Sequence, residues 1–577
     1  MNQIPRMEHP RPDFMRESWL CLNGAWEFSF DRPDFDRTII VPYACETELS
    51  GIHDADFHEA VWYRRTFTLP KQMRGKQILL HFGAVDYFCR VWVNDRFICE
   101  HTGGQCGFFA DITAALQPDA ENEIRLEAKD DPLDLEMPRG KQYWKPESES
   151  IFYTRTTGIW QSVWLEAVSA LHLRSCRMTP LFDERAVRFD YVISTLQPDT
   201  RLEAEIRFGG EYAGTVTVNP TSTRGSFSWQ IDQSALRAWN FHEDLVWTPE
   251  QPRLFAVTFR VYAPNGLTDE VESYFGMRKV SLENGRFMLN NRPYYQRLLL
   301  DQGYWPQSLL TAPTDEDFVR DIKLTKAMGF NGVRKHQKVE DPRYLYHADR
   351  MGLLVWGEIG AAYLYSERSA DRVYREWLDV LQRDYNHPCI VTWTPLNESW
   401  GVQEIAVDAR QQAHSAALVA LTKSMDATRP VIDNDGWEHT CGDLLTVHDY
   451  TSDGETLKAH LGTMDALLAL RPAERALYVG NYAYDGQPIL LTEFGGVKYV
   501  PIGDGTTSWG YCEADSEAAF SQKLGELFSA VRACRLVCGY CYTQLTDIEK
   551  EQNGLLTYDR RPKLPLETIR QIVCADI

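Results

Sequence analysis

Between about residues 20 and 175 apolar and polar positions alternate in short runs rich in aromatic and β-branched residues. Examples are AVWYRRTFTL, QILLHFGAVDYFCRVWVNDRFI, NEIRLEAKD and WQSVWLEAV, with turn signals between them. A period of two predicts strands with one face buried, and many such strands in succession predict an antiparallel β-sandwich over residues 1–175. A second set, including AVRFDYVIST, RLEAEIRFG and LFAVTFRVYA, predicts an immunoglobulin-like sandwich over 176–277. Neither stretch carries a helical period of useful length.

The pattern changes over 278–577. Helical stretches such as TDEDFVRDIKLTKAMGF and DARQQAHSAALVALTKSMDAT alternate with short apolar runs. Alternating βα units on this scale predict a (β/α)8 barrel. Its candidate strands, in order, are YYQRLLL, GVRKH, LLVWGEIG, IVTWTPLNE, VIDNDG, LLTVHDY, ILLTEFGG and LVCGYCYTQ.

Composition narrows the partners. Against 60 Lys and Arg stand 82 Asp and Glu, a net charge of −22, which repels a phosphate backbone and excludes nucleic acid as a natural ligand. The N-terminal text has no apolar run suited to a signal peptide, and no run of about 18 apolar residues appears. The expected setting is the cytoplasm, with no membrane partner and room for a homo-oligomer. An odd set of 13 cysteines without framework spacing fits free thiols, and the lone CxxC, Cys538 to Cys541, sits in a strand pattern. The 17 Trp and 27 Tyr exceed the needs of a core and suit surfaces on which sugar rings stack.

A barrel of this kind places its chemistry at the C-terminal ends of the strands. There, candidate strand four ends in Asn397, Glu398 and Trp400, and candidate strand seven in Glu493, Phe494, Gly495 and Gly496. Each Glu taken singly is also compatible with a strand-end salt bridge. Two carboxyl groups facing each other across a barrel mouth, however, are what glycoside hydrolysis requires. Burial near Trp400 is expected to raise the pKa of Glu398 and suit it to be the acid and later the base. Glu493, with two glycines close behind, is expected to be an ionised nucleophile.

TPLNESWG, LLTEFGG and the N-terminal phrases WLCLNGAWEFSFD, VWYRRTFTL, VWVND and TGIWQSVWLE resemble glycoside hydrolase family two, which includes β-galactosidases, β-glucuronidases and β-mannosidases. The resemblance covers nearly the whole chain in the family's domain order. It implies exo-acting hydrolysis with retention by double displacement, with Glu398 as acid/base, Glu493 as nucleophile and no obligatory cofactor. Asn397 corresponds to the residue that binds the sugar 2-hydroxyl, Arg334 to one that keeps the nucleophile ionised, and Tyr450 to a donor on the nucleophile. His448 and Asp449 stand beside Tyr450 within reach of sugar hydroxyls. Tyr542 aligns with a platform Trp of relatives, and Trp400 and Trp437 are further platform candidates, with core packing as the competing reading. Asp301 is a candidate hydroxyl ligand or a cap on its own loop. His336 stands in Lys335-His336-Gln337 where relatives often carry Ser-His, which weakens any carried-over contact there.

Glucuronidases of the family recognise the sugar carboxylate with an Asn-x-Lys pair after the nucleophile, and between Glu493 and Asp547 there is no Asn. A short β-galactosidase-like enzyme is therefore the expected match, with galactofuranosides, arabinofuranosides or another β-glycoside such as a β-glucuronide as alternatives. Large galactosidases carry further domains with metal sites; the sequence ends just after the barrel, so no metal is expected. Outside hydrolysis, a transglycosylase would use the same residues, and a non-catalytic carbohydrate-binding protein or a scaffold would not need both carboxylates. The polar-aromatic loop 139–160 is expected to reach the barrel mouth.

Overall fold

The computed structural model describes residues 4–236, 240–500 and 508–575. Two sheets form the first sandwich. One has six strands, in the order Arg37–Val41, Gly24–Phe30, Val61–Thr68, Glu121–Lys129, Phe88–Val93 and Arg96–Thr102. The other has four: Trp19–Cys21, Val163–Val168, Gln77–Phe82 and Phe108–Asp111. Alternate residues such as Trp26, Phe28, Tyr63, Phe82 and Leu126 close the core between them, as the period of two requires. The second sandwich packs a three-stranded against a four-stranded antiparallel sheet, the seven-strand count of a constant-type immunoglobulin fold.

Among the described residues the barrel contributes seven parallel strands. They are β1 (Gln296–Asp301), β2 (Gly332–Lys335), β3 (Leu354–Glu358), β4 (Ile390–Thr394), β5 (Leu445–Asp449), β6 (Ile489–Gly495) and β7 (Val537–Thr543). They lie in the order β4-β3-β2-β1-β7-β6-β5 in one curled sheet. The fifth predicted strand, VIDNDG, differs from expectation: it joins β4 only through isolated bridges, Trp393 with Val431 and Asn397 with Asp435. Ile432 and Asp435 donate to the carbonyls of Trp393 and Leu396 at 2.9 Å, but the N–H groups at its two ends go to side chains, Val431 to Asp443 at 2.9 Å and Gly436 to the Thr446 hydroxyl at 3.0 Å, which keeps the pairing from growing into a ladder.

The predicted helices form as Asp315–Ala327 and Ala409–Met425. Thr314 and Asp317 make a reciprocal cap at the start of the first, and the Asp408 side chain caps the second. Around the barrel core lie Leu298, Val333, Val355, Val391, Val447 and Leu491, all fully buried. No helix among the described residues is long and apolar enough to cross a membrane. All 13 cysteines are free thiols.

Candidate active site

Glu398 follows β4 in an unusual backbone conformation, with φ of 50° at Glu398 and 55° at Ser399. Two consecutive left-handed residues without glycine are strained and persist only where neighbours hold them. Here the Glu398 N–H donates to the Asp435 carbonyl at 3.0 Å, and Ser399 donates its hydroxyl to Glu438 at 2.6 Å. The bend turns the carboxyl of Glu398 toward the barrel mouth, where it faces Glu493 at the end of β6. Carboxylate oxygens of the two, together with a ring nitrogen of His448, lie within 4.8 Å of one another.

Arg334, at the end of β2 and fully buried, organises the floor. Its guanidinium donates to Glu493 at 2.9 Å, Glu358 at 2.8 Å and Asn397 at 2.6 Å, and it pairs with Asp435. Tyr450 donates to the other oxygen of Glu493 at 2.6 Å, so both oxygens of that carboxylate are held. Burial and the surrounding carboxylates keep the Tyr450 phenol protonated, its pKa well above 10. The Asn397 carbonyl is used by Arg334, while its amide Nδ2 is buried without an acceptor among the described residues.

His448 lies between the acids. Its Nδ1 is 2.7 Å from Glu398 and its Nε2 3.0 Å from Asp435. Burial alone would lower its pKa, but the charges of Glu493 and Asp435 and the hydrogen bonds to Asp435 and Glu398 outweigh it and push it to about 10. The consequence for Glu398 differs from the sequence expectation. Burial does raise its carboxyl, as anticipated, yet the hydrogen bond and charge of His448 reverse the effect and hold it below the usual range. The His448–Glu398 pair therefore shares one proton over the neutral range. Gly436, at φ of +86°, makes room for the imidazole, since a Cβ there would stand 2.3 Å from the ring. Glu398, His448 and Glu493 each bring one possible ligand atom to within 4.8 Å of the others.

A cavity of about 830 Å³ opens over these groups, lined by Glu398, Trp400, Trp437, His448, Asp449 and Tyr450, with Ser150, Ile151, Trp509 and Tyr511 among the remaining walls. Two of the expected platform aromatics, Trp400 and Trp437, thus face it. Tyr542 does not: it is fully buried, stacked on Phe528 at 5.3 Å and edge-on to Phe494 at 5.4 Å, because Gly495 lacks the Cβ that would strike its ring. Asp449 lines the cavity and accepts from the Thr451 N–H, with His460 at 2.7 Å. Asp301 is turned away from these walls, paired with Lys335 at 2.7 Å and capping Gly303 at 2.9 Å. His336 is buried within 3.0 Å of Arg334 and Glu358, and burial and the Arg334 charge keep it neutral.

The sequence reading missed four contributors. Asp435 and Glu358 end barrel segments, so the strand-end rule that selected Glu398 would have reached them. Tyr511, parallel to Tyr450 with ring centroids 3.3 Å apart, and Trp509 come from an irregular segment after β6 with no periodic signal. Loop 139–160 reaches the mouth as expected, with Ser150 and Ile151 in the cavity wall and the Thr154 N–H on Glu549 at 3.1 Å.

Comparison with known proteins agrees with this layout. Residues 24–129 match the sugar binding domain of the glycosyl hydrolases family 2, 171–278 the middle domain model of that family, and 280–497 its TIM barrel domain. The β-galactosidase of Thermoanaerobacter pseudethanolicus is 26% identical over 412 residues, covering 68% of this chain and 52% of its own length. The chain thus spans about half of that relative. The β-glucuronidase of Paenibacillus borealis is 25% identical over 462 residues, 71% of this chain and 72% of the relative. Among solved structures, the β-D-glucuronidase of Dictyoglomus thermophilum shares the fold with a TM-score of 0.79 at 17% identity, covering 98% of both chains. A Bacteroides uniformis β-glucuronidase 2 covalently bound to cyclophellitol-6-carboxylate aziridine gives 0.76 at 20% identity, covering 97% of this chain and 70% of that one. With three consecutive domain models of one family matched in order along the chain, the protein belongs to glycoside hydrolase family 2.

Proposed function

We propose that the protein is an exo-acting retaining β-glycosidase, with Glu493 as nucleophile and Glu398 as acid/base. The observation that carries this reading is that one oxygen of each carboxylate lies within 4.8 Å of the other, which favours the closer of two known arrangements. Retaining enzymes place their carboxyl groups about 5–5.5 Å apart, whereas inverting enzymes leave about 6.5–9.5 Å to admit a water. Glu493 is held by Arg334 and Tyr450 on separate oxygens, which fixes its aim at the anomeric carbon. The bond from anomeric carbon to leaving oxygen breaks as the Glu493 ester forms, and Glu398 gives that oxygen a proton. In the second step Glu398 takes a proton from water, which attacks the same carbon and releases Glu493. His448 stores the proton of the pair and returns it to Glu398 as a bound aglycone draws the carboxyl out of contact with the imidazole. The unsatisfied Asn397 amide suits a sugar hydroxyl next to the reacting carbon.

One reading of the sugar is a β-galactoside-like neutral glycose, pyranose or furanose, in line with the β-galactosidase relative. A β-glucuronide is supported at least as well, by relatives that carry that name. A panel of 4-nitrophenyl glycosides covering neutral pyranosides, furanosides and the glucuronide decides between them. On whichever substrate turns over, Glu493→Gln should reduce kcat by at least about a thousandfold. Glu398→Ala should spare activated aryl glycosides far more than alkyl ones, because a good leaving group needs little protonation. Equal loss on both aglycones contradicts the acid role, and near-normal turnover by Glu493→Gln contradicts the nucleophile.

A further inference from the structure

The backbone that aims Glu398 is gripped by one short segment, and a buried ion pair that the mechanism above does not use ties that segment down. With φ of 50° at Glu398 and 55° at Ser399, the bend persists only where partners hold it. Those partners come from residues 434–438. The Glu398 N–H donates to the Asp435 carbonyl at 3.0 Å, and the Ser399 N–H donates to the Asn434 side chain at 2.9 Å. The Ser399 hydroxyl donates to Glu438 at 2.6 Å and accepts from the Asn434 amide at 2.9 Å, so it is fixed in both senses.

Glu438 is 2% exposed and itself left-handed, at φ of 45°. The oxygen that accepts from Ser399 also takes the Arg475 guanidinium at 2.7 Å, and among the described residues Arg475 is the one cation paired with it. A buried carboxylate is costly without such a partner, so the ion pair fixes the oxygen on which Ser399 rests. Arg475 is held in turn by the Gln403 carbonyl at 3.2 Å and lies over the Trp437 ring, 5.6 Å from its centroid. Main chain joins the same two segments: the Glu438 N–H donates to the Ala476 carbonyl at 3.1 Å and the His439 N–H to the Leu477 carbonyl at 2.7 Å. Trp437, Pro472 and Ala473 line the cavity together with Glu398, so the clamp is built into its wall. Glu493 is held by other groups, Arg334 and Tyr450.

We propose that Glu438 and Arg475 are positioning residues for the acid/base. Acting through Ser399, they keep the Glu398 carboxyl aimed at the leaving oxygen and leave the attack of Glu493 untouched. The effect is selective: a leaving group that needs a proton depends on that aim, whereas one that departs readily as an anion does not.

The proposal rests on the glycosidase reading, and the test separates the two. Full-length wild type, Glu438→Gln, Arg475→Met, Ser399→Ala and the double variant Ser399→Ala with Glu438→Gln are compared by kcat/KM, which reports the first step. The substrates are an alkyl glycoside and the 2,4-dinitrophenyl glycoside of the preferred sugar, and thermal unfolding checks the fold. Glu438→Gln and Arg475→Met should each lower kcat/KM by about ten- to a hundredfold on the alkyl glycoside and by no more than about threefold on the dinitrophenyl one. Because Glu438 acts through Ser399, the double variant should lose no more on the alkyl glycoside than Ser399→Ala alone. If Glu438→Gln or Arg475→Met unfolds, Ser399→Ala carries the comparison, and its loss on the alkyl glycoside must again exceed that on the dinitrophenyl one. Equal losses on both leaving groups, no loss on either, or single losses that multiply in the double variant would each overturn the positioning role while leaving the glycosidase standing. A wild type that cleaves no glycoside overturns both.

Discussion

At neutral pH the His448 imidazole holds a proton between Glu398, Asp435 and Glu493, and two pH effects follow. Its folded pKa of about 10 lies above the ordinary 6.5, so its contribution to stability is complete below pH 6.5 and is lost as the pH rises through 10. For turnover, the pair with Glu398 keeps its one proton until the same alkaline range. In His448→Gln the acid would stand alone, without the imidazole that holds the shared proton into the alkaline range. The alkaline edge of kcat/KM should therefore move to lower pH, read from a profile over pH 4–10.5; an edge that stays in place contradicts the shared proton. At this scale Glu398 and Glu493 could be singled out because each closes an apolar strand run, whereas Asn397, Arg334 and Tyr450 were named only through the family resemblance. The low carboxyl of Glu398 was not legible, because it depends on a histidine 50 positions away in the chain that only the closed sheet brings to 2.7 Å.

Among the elements, seven of the eight predicted barrel strands pair as read, since period and apolar content dominate buried parallel strands. VIDNDG failed as a ladder strand for a local reason: the N–H groups of Val431 and Gly436 go to the side chains of Asp443 and Thr446 instead of to a neighbouring strand, which the period does not show. Tyr542 was misplaced because a strand alternates faces, and a shift of one residue decides between cavity and core. The helix Glu367–Asp384 carries a testable feature of the sandwich contact. Its Glu376 accepts from the Gln105 N–H at 3.1 Å inside the interface, and burial pushes its carboxyl up to about 8. A folded pKa above the ordinary 4.5 means that its favourable contribution is complete below pH 4.5 and is lost as the pH rises through 8. Glu376→Gln keeps an accepting oxygen and removes the ionisation, so its Tm should exceed that of wild type at pH 9 by a few degrees and the gap should close at pH 5. A gap that does not vary with pH contradicts the assignment.

Across the whole molecule, sandwich and barrel are joined by buried charge as well as by apolar contact. Arg6 donates to the Ala312 carbonyl at 2.8 Å and to Asp341 at 3.2 Å, and Asp341 also takes Arg343 at 3.0 Å. With loop 139–160 seated on the barrel mouth, the pocket belongs to two domains. The three-part division was legible because periodicity changes from 2 to 3.6 near residue 278. The joint pocket was only partly so, because Ile151, Trp509 and Tyr511 lie in irregular chain where no period marks them. The charge of −22 spoke against polyanions but says little about the sugar. The central claim is a covalent glycosyl-enzyme on Glu493. It is tested most directly by incubating the protein with a 2-deoxy-2-fluoro glycoside of the preferred sugar bearing a good leaving group, followed by intact and peptide mass spectrometry. The account predicts one fluoroglycosyl unit per chain, in ester linkage to Glu493, with loss of activity in step with labelling. A label on another residue, or steady turnover with no covalent adduct, would contradict it.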